Sequence, residues 1–170
     1  MNQDRISNSM TLKYPPERYD DHLCLRVPVT LWLCLLFLVR HLLLLGITFL
    51  PTTGEEITVL RELIRPEYLL ADLIALPVLI AGVRRRPRSP RWMPQLWRIG
   101  RGLLLASAGL YLLLLGTNLL ASARPLTATL NEVSLISLLL NLAIIAYLLR
   151  SPLLRDLFAQ WPTEPSRGSA

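Results

Sequence analysis

At 170 residues the chain is about one domain long. It is 52% apolar and 18% charged, against roughly 25% charged in soluble domains. Four wholly apolar helices in so short a chain would leave nothing to face water, which excludes an ordinary soluble bundle. The net charge of +6 is nearly all arginine, Lys13 being the only lysine. These arginines flank apolar runs, so anionic lipid headgroups, not nucleic acid, are the expected partner.

Residues 1–28 are polar and acid-containing, without the short apolar core and cleavage site of a secretory signal. They read as a cytoplasmic segment, starting at Met1 or at Met10. A first span over 29–50 follows, with Pro28 where a first-turn proline is tolerated. Arg40 and His41 interrupt it. A central arginine costs about 2.5–3.5 kcal/mol and each leucine contributes about −0.3 to −0.6 kcal/mol, so the ten leucines of this run offset it. Pro51 ends the helix, and 52–67 is a short acidic connection with an interfacial turn over 57–64.

The second span, 68–83, contains Asp72 and Pro77, and the proline is expected to kink it. The connection 84–101 holds seven arginines and no acid. Its prolines at 87, 90 and 94 argue against a long helix, leaving Trp92, Met93, Leu96 and Trp97 on a short interfacial turn. The third span covers 102–123 and is followed by Arg124 and Pro125. The fourth covers 131–149, with Asn131 as N-cap and Asn141 inside. Arg150, Ser151 and Pro152 stop it. The segment 150–170 reads as an amphipathic tail lying on the membrane through Leu153, Leu154, Leu157, Phe158 and Trp161.

Fourteen lysines and arginines fall in 1–28, 84–101 and 150–170, and three in the connections on the other side. The positive-inside rule therefore puts both termini and the arginine loop in the cytoplasm.

Several residues need an explanation. Gly102, Gly109, Gly116 and Ala123 recur every seven residues along the third span, with Ala106 between the first two. Small residues on one face let a second backbone approach, so this face serves either a dimer seam or packing against the chain's own helices. Arg40, His41, Asp72 and Asn141 converge toward the midplane and outer half. Asp72 is the only acid within a span core, which pairs it with Arg40, Asn141 supporting the pair and His41 nearby. Such groups are functional candidates by default; the alternative is an ion pair that fixes helix register. Arg84, Arg85, Arg86, Arg88, Arg91, Trp92 and Trp97 are the candidate contacts to anionic lipid.

No zinc, nucleophile-elbow, phosphate-loop or CxxC motif is present. Neighbouring positions in Tyr19-Asp20-Asp21-His22 point in different directions, which suits a polar linker better than a metal site. His22 and His41 lie at different depths, which argues against a two-histidine haem. No cofactor is expected. Cys24 and Cys34 read as free thiols.

The series Pro16-x-x-Tyr19-Asp20-Asp21-His22-x-x-Leu25-x-x-Pro28, Trp32, Leu35-Leu36-Phe37-Leu38-Val39-Arg40, Pro66, Pro77, Arg84-Arg85 and Leu153-Leu154-Arg155-Asp156-Leu157-Phe158 resembles the YfeZ-like family of bacterial inner-membrane proteins. The likeness runs from about Tyr14 to Phe158, and the chain extends past the pattern at both ends. It implies a multi-span helical protein of the inner membrane, without implying an activity, substrate or catalytic residue. The expected architecture is all-α, a bundle of four transmembrane helices over 29–149. The expected role is a non-enzymatic accessory or scaffolding subunit that touches anionic lipid and another membrane protein or itself. The alternative is a small oligomeric transporter or proton-coupled carrier using Arg40 and Asp72.

Overall fold

The computed structural model describes residues 14–19, 24–49, 66–86, 89–121 and 132–162. Among these residues it is all-α, with six helices: α1 Val29–Leu38, α2 Arg40–Thr48, α3 Pro66–Val83, α4 Trp92–Ala121, α5 Glu132–Arg150 and α6 Pro152–Ala159. A 3-10 turn, Pro16–Arg18, precedes them, and among the described residues there is no strand, only an antiparallel bridge between Tyr19 and Leu25. Helices α3, α4 and α5 are each long and apolar enough to cross a membrane, and α1 with α2 makes a fourth such crossing if counted as one broken span.

The first span departs from the continuous helix expected over 29–50. It breaks at Val39, where α1 and α2 meet at 61° and the backbone leaves helical geometry with φ −103° and ψ 15°. No proline or glycine stands there, so the cause is tertiary and belongs to the site below. Pro77, by contrast, lies inside one unbroken helix, α3.

Helix α4 is longer than expected. It starts at Trp92, ten residues before the predicted span, and takes Pro94 into its first turn. Amides there have no partner within the helix, so proline loses nothing by lacking one. At 1.5 Å per residue, thirty residues extend about 45 Å, beyond the roughly 30 Å of hydrocarbon. The foot of α4 therefore projects at the arginine-rich end.

The tail turns the apolar face expected to meet the membrane toward that foot and docks there. Ser151 caps α6, its side chain accepting from the Leu154 amide, and Leu154, Leu157 and Phe158 are buried. The Phe158 ring lies tilted 4.7 Å from that of Trp97, and the Trp97 indole N–H donates to the Leu157 carbonyl at 3.0 Å. Gly100 makes room: a Cβ there would lie 2.9 Å from Phe158 and 3.1 Å from Val78. An indole N–H buried in apolar surroundings must find an acceptor, and the end of α6 supplies it.

Small residues bring helices together in this bundle, but on α3. Ala71, Ala75, Ala81 and Gly82 are buried on one side of it, and 39% of α3 is enclosed, against 28% of the most apolar stretch of α4 and 17% of that of α5. Of these three helices α3 is therefore the most enclosed. A Cβ at Gly102, Gly109 or Gly116 would meet nothing within 4 Å, and Ala106 is exposed beside them. Among the described residues nothing packs on this face at its glycines. Ala123 lies outside the described residues, as do Pro51, the 57–64 turn, Arg124, Pro125 and Asn131.

Candidate functional site

The break in the first span is built around Asp72, which α3 holds at 2% exposure. In an unbroken helix the His41 amide would donate to the Phe37 carbonyl, and the Leu42 amide to that of Leu38. Here both donate to Asp72 Oδ2, at 2.7 Å and 3.1 Å. The carboxylate thus caps the N-terminus of α2 from another helix, where the helix dipole favours negative charge. On the other side of the break, the Arg40 guanidinium donates to the Phe37 carbonyl at 3.0 Å. Donors and acceptors freed by the bend are satisfied by two charged side chains, as a buried backbone in lipid requires.

Arg40 and Asp72 therefore serve one break from its two sides, without the direct pair expected from sequence. The ion-pair partner of Asp72 among the described residues is His41, whose Nδ1 lies 3.2 Å from Oδ1. The Arg40 guanidinium stacks instead on aromatic faces, 4.1 Å from the Phe37 ring centre and 4.7 Å from that of Tyr111. Reaching back toward a carbonyl three residues earlier places it there, and the ring quadrupoles stabilise the cation.

Two tyrosines complete the site. The His41 ring lies 5.4 Å from Tyr68 and 6.1 Å from Tyr111, and the two phenol rings are 4.7 Å apart. Both tyrosines are buried, and the Tyr68 hydroxyl accepts from the Asn118 amide at 3.5 Å. Sequence reasoning missed both: Tyr68 only opens the second span, and Tyr111 lies within the third. The available signal was a phenol inside an apolar span, which needs a polar partner when buried.

Asn141 is fully buried, but its amide donates to Ser137 in its own helix at 2.9 Å, and its carbonyl oxygen has no protein partner. It is not bonded to the Asp72 group. Asn141→Leu is accordingly expected to change stability by less than about 1 kcal/mol, since exchanging a poorly satisfied polar group for an apolar one is nearly neutral. Reversible unfolding in detergent checks this, and a large loss would place Asn141 in the cluster after all.

At the arginine-rich end, the candidate lipid contacts divide. Arg84, Arg86, Arg91 and Trp92 are exposed, and Arg88 lies outside the described residues. Arg85 and Trp97 turn inward, which corrects their assignment as headgroup contacts. The Arg85 guanidinium donates to the carbonyls of Leu25 at 2.7 Å and Gln160 at 3.2 Å and sits over the Trp97 ring. Trp97 is 1% exposed, against 54% for Trp92. The Leu25 amide donates to the Gln160 side chain, and the Tyr14 hydroxyl to Asp156 at 2.8 Å. Together these bonds tie both ends of the described chain to the foot of α4. Arg101 caps α5, donating to the carbonyls of Leu148 and Leu149, a favoured place for a cation.

Among the described residues no three His, Cys, Asp or Glu side chains gather as metal ligands, and Cys24 and Cys34 are free. Asp20, Asp21 and His22 lie outside the described residues.

Neither a curated protein nor a solved structure matches the chain. A family model described as a protein of unknown function, DUF2919, matches residues 14–160; the YfeZ-like naming is not confirmed by it. That match takes in every described helix and the Asp72 site, and the chain belongs to the DUF2919 family.

Proposed function

We propose that this protein is a non-enzymatic accessory or scaffolding subunit of a bacterial inner membrane, with its arginine-rich end and both termini in the cytoplasm. One observation carries the reading: the N-terminal segment, the α3–α4 connection and α6 are bonded into one fixed surface through Arg85 and Trp97. Fixed surfaces of this kind suit recognition by a partner. The open row of Gly102, Ala106, Gly109 and Gly116 on α4 offers a partner helix close approach within the lipid. Cross-linking and co-purification at native expression should return a stoichiometric partner or a second copy; a lone monomer contradicts the proposal. Reporters fused after residue 90 and at the C-terminus should both read cytoplasm, and periplasmic labelling near Trp92 contradicts that orientation.

A second reading is favoured by the His41–Asp72 contact at 3.2 Å. Broken spans with ionisable groups at the break are a feature of carriers, and such groups relay protons. On this reading the protein is a small proton-coupled carrier, assembled as an oligomer because four spans are few to enclose a path. Proton flux into proteoliposomes that Asp72→Asn abolishes would support it; no flux from the wild type, or flux untouched by the substitution, would reject it.

A further inference from the structure

The seven arginines between α3 and the start of the third apolar run do not act as one diffuse charge. Arg85 is consumed by the Leu25 and Gln160 carbonyls, and Arg101 by the end of α5. Arg84 and Arg86 are different. Their guanidiniums make no hydrogen bond or ion pair among the described residues, and both line an open surface groove of about 580 Å³ with Val83, Ser89, Pro90 and Met93. Clefts or cavities of roughly 300–1,000 Å³ are the usual size for small-ligand sites.

The turn that shapes this groove is braced from within. The Ser89 hydroxyl donates to the Arg84 carbonyl at 2.8 Å and accepts from the Arg86 amide at 3.3 Å. That brace holds both arginines on one short loop. Apart from Ser89 the remaining wall is apolar, exposed at Val83 and Pro90 and buried at Met93. From this wall an exposed apolar row, Val83, Ile80 and Leu73, runs away along α3, its spacings of three and seven keeping one helix face.

Depth fits the same ligand. Eighteen residues of α3 extend about 27 Å, close to the thickness of the hydrocarbon. The last turn at Val83 and the loop after it therefore lie at headgroup level, beside exposed Trp92, a residue that favours that depth. A cationic rim, an apolar wall and an apolar row leading into the bilayer together match a phosphate with acyl chains attached.

We infer that Arg84 and Arg86 form a discrete site for the phosphate of one anionic phospholipid, whose glycerol rests on Val83 and Pro90 and whose chain follows Ile80 and Leu73. This inference is independent of the subunit or carrier reading above.

Native mass spectrometry of the full chain, released from mixed phosphatidylglycerol and phosphatidylcholine vesicles, tests it. The wild type should retain one phosphatidylglycerol in preference to phosphatidylcholine. R84Q/R86Q should lower that retention by about tenfold or more, whereas R91Q/R98Q, with the same loss of charge, should stay within about twofold. Circular dichroism on both variants keeps the comparison to folded protein. Equal loss in both would mean a diffuse basic field, and no loss in either would mean a lipid bound elsewhere. Equal retention of phosphatidylcholine would remove the charge argument, and displacement by millimolar inorganic phosphate would make it a soluble-anion site. Each of these results overturns the inference.

Discussion

Replacing Asp72 by leucine should destabilise the protein by about 3–5 kcal/mol, the range for removing one member of a buried charged pair. Three deficits arise together. The His41 and Leu42 amides lose their acceptor, His41 loses its carboxylate, and Arg40 keeps its charge with no anion near the break. The chain can recover the two amide bonds only by straightening into one helix, which would pull His41 away from Tyr68 and Tyr111. Spin labels at the exposed residues Leu33 and Ile47 should therefore report a longer separation in Asp72→Leu, alongside a lower unfolding midpoint in detergent. Asp72→Asn retains an acceptor for the amides and should keep the bend while losing less stability. If leucine leaves both the distance and the midpoint unchanged, the carboxylate does not hold the break open.

Trp97→Ala should have a comparable effect at the other end of the bundle. Truncating a buried aromatic residue costs about 3–5 kcal/mol, and this one also carries the bond to Leu157, a tilted ring contact with Phe158 and an edge-on one with Trp161. Its loss should free α6 while leaving α3 and the body of α4 in place. Hydrogen exchange over Leu154–Ala159 and proteolysis near Gln160 should both accelerate sharply. Trp92→Ala, on the exposed face of the same helix, should stay within about 0.5 kcal/mol of wild type, as surface substitutions usually do. If the two tryptophans behaved alike, the tail would not be docked on Trp97.

The Asp72 site also explains why the bundle tolerates so polar a first span. Arg40 does not sit in hydrocarbon as an isolated charge, because it faces two aromatic rings and a carbonyl freed by the bend. Asp72 does not either, since two amides and an imidazole surround it. Charge inside this apolar run and the missing helical bonds at Val39 offset one another. Either alone would be expensive in lipid.

The amino-acid sequence determined the elements whose cause is local. Apolar runs of the right length gave the approximate positions of α3, α4 and α5, and Arg150-Ser151-Pro152 marked the turn into α6, because hydrophobic length and helix punctuation act within a few residues. His41 and Asp72 stood out for the same reason, as charge-bearing groups inside apolar runs. Tertiary structure alone decided what these residues do. The bend at Val39 has no glycine or proline to announce it and depends on a carboxylate thirty-one residues from His41. Arg85 and Trp97 looked like interfacial residues until Leu25, Leu157 and Gln160 supplied their acceptors from both ends of the chain. The glycines of α4 and the alanines of α3 were equally eligible for close packing, and only the placement of the helices selected the alanines. A polar group in lipid takes whichever partner the fold brings within hydrogen-bond reach, and composition and spacing along the chain do not contain that distance.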